Sequence, residues 1–441
     1  MPPGTILIDN ARVINPASGL DGVCDILISE GRVAAVEPGI CLMAPDVLRI
    51  QADGLIAAPG LVDAHVHFRE PGFESKETIE TGARAAAAGG FTAVICEPNL
   101  APPPDTVARA REMAARAEGA AVRIFQKACI TVGRAGEEPV DVAALNREPN
   151  IRGFSDDGDP LVDRAVMAAA LACAAAAGAV LSPHEEDSPA GIERRRARPG
   201  RLGFRPRRDY ENEPEYVGRD IALAKPVAAR LHVSHASLAE TMDLVRMAKR
   251  SGLPVSCEVA PHHFCLDTDF CGREELTVKV NPPIRSPRDR TALLDAIADG
   301  TVDLIASDHA PHTAVDKEGG AHGVIGLETT LGLVATHLVA EQIIDWPRAV
   351  ELLSVAPARV FGLETRGLAP SAPADVTLID PTLAWTVDPE EFRSHARNCP
   401  FAGWSLHGRA VATIVGGAVR HLHPAIRRRI DTDARLEDLI E

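Results

Sequence analysis

His65 and His67 stand two residues apart at the end of the apolar run Asp63-Ala64-His65-Val66-His67, so the period of a strand points both imidazoles to one face. Two parallel imidazoles at a strand end suit a metal ion, although an H-x-H pair serves equally well as two hydrogen-bonding strand histidines. His184 and His235 each close a later apolar run, and Asp308 closes the last. Nitrogen and oxygen donors thus gather at the ends of four runs. Imidazole and carboxylate without thiolate fit zinc, with manganese, iron and cobalt as other choices. Two metals close together also need a bridging anion. Phe154-Ser155-Asp156-Asp157-Gly158 offers a carboxylate for it, although D-D-G is also an ordinary turn. Adjacent residues on a strand face opposite ways, so one of Asp156 and Asp157 points inward and spacing does not say which.

The elements that position these groups follow from the hydrophobic pattern. From about residue 59 to 365, short apolar runs alternate with Ala-, Arg- and Glu-rich helical stretches, the βαβα pattern of a parallel sheet. The runs end in Asp63–His67, Ala93–Cys96, Val122–Phe125, Ile151–Phe154, Val180–His184, Leu231–His235, Val255–Val259 and Leu304–Asp308. Eight such units predict an α/β fold, a (β/α)8 barrel of the TIM type, whose active site lies at the C-terminal ends of its strands, where the polar residues fall. The Ala-rich stretch Ala165–Leu181 reads as a buried helix running into a strand. Residues 1–58 read as short strands with turns at Asp21-Gly22 and Glu30-Gly31, among them Ile6–Ile8 and Val13–Ile14. The same texture returns within 366–425, and neither half has enough strands to bury a face. The two ends are therefore expected to complete one small β-sandwich domain, followed by a C-terminal tail, 426–441.

Composition narrows the function. Lys and Arg total 46 against 62 Asp and Glu, a formal charge of −16, which argues against binding a phosphate backbone. The first residues carry no basic segment followed by an apolar one, so no secretory signal is read and a cytoplasmic location is expected. Nine cysteines without a C-x-x-C pair fit free thiols in a reducing compartment.

Four motifs in order then give a resemblance. His65-Val66-His67-Phe68-Arg69-Glu70-Pro71-Gly72, Phe154-Ser155-Asp156-Asp157-Gly158, Asn281-Pro282-Pro283-Ile284-Arg285 and Ser307-Asp308-His309-Ala310-Pro311-His312-Thr313 resemble those of type I dihydroorotases of the amidohydrolase superfamily. The likeness extends over nearly the whole chain, including the divided β-domain and Cys399-Pro400-Phe401-Ala402-Gly403-Trp404. The resemblance implies reversible cyclisation of N-carbamoyl-L-aspartate to L-dihydroorotate and water, in pyrimidine synthesis. It implies that His65, His67 and Asp308 hold one zinc ion and His184 and His235 a second, two per subunit, with Asp157 and a hydroxide as bridges. The related hydantoinases and allantoinases usually bridge through a carboxylated lysine instead.

The chemistry matches these residues. A metal lowers the pKa of bound water to roughly 7, and Asp308 would take its proton and deliver it to the leaving ring nitrogen, acting as base in the reverse direction. Arg69, two residues after His67, suits the ring carboxylate bidentately; its bland alternative is a surface pair with Glu70 or Glu74. The resemblance adds Asn99 and His312 as carboxylate partners, and Asn281 with the His322-Gly323 backbone as ring contacts. It also implies a homodimer and, for some members, association with aspartate carbamoyltransferase. Two other readings are a cyclic amidohydrolase acting on hydantoin, allantoin or a dihydropyrimidine, and a non-catalytic scaffold for the carbamoyltransferase.

The chain departs from the family pattern at three places. Glu97-Pro98-Asn99-Leu100 stands where M-P-N-T is usual, so Glu97 is expected either to face outward on the rim or to repel an anionic substrate. Ala321-His322-Gly323 stands where P-F-G is common. Glu193–Arg208 holds eight arginines, read either as a solvated loop or as a docking surface for an acidic partner.

Overall fold

Leu61–Val66 (β6) and Phe91–Cys96 (β7) are buried along their whole length, as strands of a parallel sheet covered on both faces must be. In the computed structural model, which describes residues 4–42, 47–186, 213–271, 278–364, 367–431 and 439–440, they begin a sheet of eight parallel strands in chain order. Arg123–Cys129 (β8), Ile151–Ser155 (β9), Val180–Leu181 (β10), Arg230–Val233 (β11), Val255–Val259 (β12) and Leu304–Ile305 (β13) complete it. The first and last strands meet just beyond their ends, where Val66 bridges His309 and the His67 amide donates to the His309 carbonyl at 2.9 Å. The sheet is a barrel. The arginine-rich stretch 193–208 lies outside the described residues.

Helices between the strands carry clear end signals. Ile79–Gly89 starts at Thr78, whose hydroxyl accepts from the Thr81 amide in a capping box, and stops at Gly90 with φ 94°. Its buried Ala83, Ala85, Ala86 and Ala87 let it lie close against the sheet. Arg164–Ala177 is capped by Asp163, ends at Gly178 and leads into β10, as the alanine-rich run requires. Among the described residues, no helix is long and apolar enough to cross a membrane. All nine cysteines are free thiols.

The chain ends form a second, mostly antiparallel eight-stranded sheet. Its N-terminal members are Thr5–Asn15 (β1), Leu20–Ser29 (β2), Arg32–Glu37 (β3), Val47–Gln51 (β4) and Ile56–Pro59 (β5). Val376–Thr386 (β14), Ser405–Val415 (β15) and Ala418–Leu422 (β16) come from the other end. The two runs expected as separate strands, Ile6–Ile8 and Val13–Ile14, are one strand, β1, with a register shift between Ile8 and Ala11 and Asn10 at φ 59°. A bulge of this kind re-aims a strand without ending it. β5 pairs with β14 antiparallel, Ile56 against Ile379 and Pro59 against Val376, so the halves share one core of Ile6, Ile8, Ile26, Val376, Leu378 and Ile414. Ile426 and Ile430 are buried in that core too.

Candidate active site

Barrel strands end in the residues singled out above, and their side chains converge. Asp157 lies among four imidazoles: its Oδ1 is 3.4 Å from His184 Nδ1, 3.5 Å from His65 Nε2 and 3.6 Å from His235 Nε2, and its Oδ2 is 3.8 Å from His67 Nε2. Asp308 Oδ1 is 3.3 Å from His67 Nε2 and 3.7 Å from His65 Nε2. The neighbouring carboxylate turns away. Asp156 accepts from the Ile130 and Thr131 amides and from the Thr131 hydroxyl, so of the D-D pair it is Asp157 that faces the histidines.

Burial opposes the charge on both inward aspartates, yet the histidines prevail. The close imidazoles of His184, His235, His65 and His67 hold the Asp157 carboxyl well below the usual carboxylate range. The bond with His67 and the charges of His65 and His67 do the same for Asp308.

The donor set fits a divalent cation. His65, Asp157 and His235, and likewise His65, His67 and Asp308, place one ligand atom each within 4.8 Å of one another, all buried and none a thiolate. His65 Nε2, aimed at both aspartates, is a buried nitrogen without a hydrogen-bond partner. Such an orphan calls for a ligand. Backbone strain is concentrated here as well: Arg69, His235 and Asp308 adopt φ of 60°, 32° and 48°, in the left-handed region that side chains avoid.

Behind the converging histidines lies a buried polar layer that the sequence pattern does not single out. His65 Nδ1 is 2.6 Å from Glu258 Oε1, and Glu258 Oε2 is 3.1 Å from His232 Nε2. Asp63 accepts from the His65 and Ser307 amides, and burial lifts its carboxyl to about 7 in spite of these bonds. An acid within an apolar run, as at Glu258, is the available signal, since a charge buried in a strand requires a partner.

Glu97 corrects the expectation set for it. It neither sits on the rim nor faces the substrate side: it is 1% exposed, is ion-paired with the equally buried Lys127, and lies 3.7 Å from His65 Nδ1. The physical reason is Lys127, which supplies the counter-charge that lets an acid follow β7 into the interior.

Above these histidines and aspartates is a cavity of about 240 Å³. It is lined by His67, Arg69, Asn99, Asp157, His184, His235, Asn281, Asp308, His312, His322 and Gly323, so of the expected site residues His65 alone lies beneath its floor. Arg69 pairs with neither Glu70 nor Glu74: Glu70 accepts from the Ile79 amide and Glu74 from the Gly72 amide. Instead Arg69 Nε donates to the Pro311 carbonyl at 3.3 Å. Burial lowers its guanidinium to about 10, so it stays charged at neutral pH.

Other expected contacts are already engaged within the protein. Asn99 reaches His67 Nδ1 through Oδ1 at 2.9 Å and donates to Asp157 Oδ2 at 3.0 Å. Asn281 Nδ2 is 2.8 Å from His184 Nε2. His312 Nε2 lies 2.7 Å from the His322 carbonyl, and Lys76 Nζ is 3.3 Å from its Nδ1. Burial and the adjacent Arg69 and Lys76 charges lower His312 to about 3, so it is neutral. Gly323, at φ 133°, donates its amide to the Lys279 carbonyl; a Cβ there would meet Ala310 Cβ at 2.7 Å, which is why glycine occupies it.

Comparison with known proteins points the same way. A family model described as dihydro-orotase-like matches residues 54–241. The dihydroorotase of Anaeromyxobacter dehalogenans (strain 2CP-1) is 44% identical over 426 residues, covering 94% of this chain and 98% of that protein. That of Pelotomaculum thermopropionicum is 41% identical over 421 residues, with 94% and 98% covered. Among solved structures, the L-hydantoinase (dihydropyrimidinase) of Arthrobacter aurescens superposes with a TM-score of 0.82 at 26% identity over 95% of this chain and 96% of that one. The dihydropyrimidinase of Brevibacillus agri, at 23% identity and TM-score 0.81 over 95% of both chains, shares the fold. Barrel and relatives agree, and the chain belongs to the dihydroorotase family.

Proposed function

We infer that this protein is a dihydroorotase, a cyclic amide hydrolase that interconverts L-dihydroorotate and water with N-carbamoyl-L-aspartate. The observation that carries this reading beyond family membership is Arg69: a buried guanidinium lines the same cavity as Asp157 and Asp308, where an anionic ring has to be held over the reacting groups. A charge-assisted bond to the ring carboxylate contributes about 1.5 to 3 kcal/mol.

His65, His67, His184, His235, Asp157 and Asp308 would hold a divalent metal, which when bound would supply Lewis acidity to acidify water and polarise the ring carbonyl. We take the metal to be zinc, two ions per subunit, for which Asp157 would be the shared ligand. The thiolate-free donors, and the four imidazoles gathered around Asp157, support that choice.

In ring opening, Asp308 removes a proton from the attacking water as the oxygen joins the carbonyl carbon. The carbon–nitrogen bond then breaks, and the proton passes from the Asp308 carboxyl to the departing nitrogen. In ring closure Asp308 takes that proton back from the carbamoyl nitrogen, as microscopic reversibility requires. Its ionised state in the free site suits it to begin as a base. Asn99 holds His67 and Asp157 in place, and Arg69 fixes the substrate's orientation.

The test is ring opening of L-dihydroorotate by the purified protein before and after chelation, with bound metals quantified on the same sample and 5,6-dihydrouracil and hydantoin run in parallel. Turnover of dihydroorotate that stops on chelation and returns with zinc is expected. Turnover of the neutral rings alone by metal-replete protein would refute the reading.

A further inference from the structure

Beneath the histidines, the barrel holds a lysine that the reaction does not use. Lys127, on β8, is fully buried. Its ammonium pairs with Glu97, donates to Ser182 Oγ at 3.0 Å and lies 5.1 Å from the centre of the Phe361 ring. An ammonium has three donors and no acceptor, so these neighbours account for all of it.

Two of the contacts lead to opposite sides of the ligand set. Glu97 Oε1 is 3.7 Å from His65 Nδ1, beside the Glu258 oxygen that holds the same nitrogen at 2.6 Å. Ser182 Oγ is 2.7 Å from Ser234 Oγ. Ser182 precedes His184 by two residues beyond β10, and Ser234 immediately precedes His235 beyond β11. A row of polar neighbours therefore runs from His65, which Glu97 approaches to 3.7 Å without a hydrogen bond, through Glu97, Lys127, Ser182 and Ser234 to the strand ends that carry His184 and His235.

Stability alone gives no reason for this arrangement. Desolvating two ions costs about what their attraction returns, and apolar residues of similar volume would fill the space as well. An apolar pair has no directional bond with which to register one strand end against another.

We propose that Lys127 is a positioning residue that ties the two histidine groups together. Through Glu97 it leaves Glu258 as the single acceptor for His65 Nδ1, so that His65 Nε2 faces Asp157 and Asp308. Through Ser182 and Ser234 it fixes the backbone from which His184 and His235 reach the same Asp157. The inference rests on the reading of this site as a metal centre.

The test compares the full-length protein with Lys127→Met and with the double variant Glu97→Met/Lys127→Met. Each is stripped of metal, reloaded with Co2+, competed against a chelator and examined by visible absorption. The double variant removes both charges together and so avoids leaving Glu97 buried and unpaired. Expected in both variants is Co2+ retention weaker by about tenfold to a hundredfold, the range for lost support behind a ligand, with an altered Co2+ spectrum. Melting of the metal-free double variant should stay close to that of the parent. Wild-type retention and spectrum in the double variant would overturn the proposal. So would weakened retention matched by a large fall in metal-free melting temperature, which would assign Lys127 to folding alone. If the single variant does not fold, the double variant decides. A parent protein that takes up no Co2+ would instead overturn the metal-centre reading.

Discussion

Glu258 Oε1 and His65 Nδ1 lie 2.6 Å apart with both side chains 1% exposed, so the imidazole shared by both donor groups is oriented from behind by a carboxylate. Glu258→Gln keeps the shape and removes the charge. Metal affinity should fall by about tenfold to a hundredfold, read by chelator competition. Parental affinity would mean that Glu258 only fills space.

Asp308→Asn removes the proton carrier while leaving a side chain of the same shape. Proton transfer by a positioned group contributes about 10²- to 10⁴-fold, and kcat for dihydroorotate should drop by that factor. Metal content is measured on the same sample, because Asp308 also belongs to a donor group. Undiminished kcat in either direction would remove Asp308 from its proposed role.

Arg69→Met separates binding from chemistry. Loss of a bond of about 1.5 to 3 kcal/mol corresponds to a rise in KM for dihydroorotate of about tenfold to 150-fold. Turnover of 5,6-dihydrouracil, which has no ring carboxylate, should be little changed. Equal losses on both rings would show that Arg69 holds the loop through Pro311 and does not anchor the substrate.

A pH effect on stability is expected away from the site. Glu328 is partly buried and accepts from the Arg393 and Ser394 amides at 2.7 and 3.1 Å; burial raises its carboxyl to about 7 despite these bonds. Its pKa is higher in the folded than in the unfolded chain. Its contribution is therefore fully present below about pH 4.5 and is lost as pH rises through 7. Glu328→Gln, which stays neutral, should match the parent in urea unfolding at pH 4 and exceed it at pH 8 by about 1 to 3 kcal/mol. A difference that does not change with pH would contradict the assignment.

What the sequence revealed and what it hid have physical causes. The barrel was legible because βαβ units impose alternation on the chain. The histidines that converge on Asp157 were legible because they interrupt apolar runs at the ends where such barrels do chemistry. β10 and β13 are two residues long, and nothing in their composition sets those limits. The supporting groups were hidden for another reason. Glu258 meets His65 across the barrel from β12 to β6, and Lys127 meets Ser182 from β8 to the end of β10, strands that are not neighbours. A one-dimensional pattern marks such residues as buried and charged without naming their partners. Glu97 was misjudged on those grounds, because its meaning depends on Lys127.

The bridge between Val66 and His309 makes the seam of the barrel and its chemistry one place. His67 lies on one lip and Asp308 on the other, 241 residues apart in sequence. An ion held from both lips would act as a clasp: at a thousandfold excess over its Kd it would add about 4 kcal/mol to the closed state. Resistance to opening and competence for catalysis would then rise and fall together.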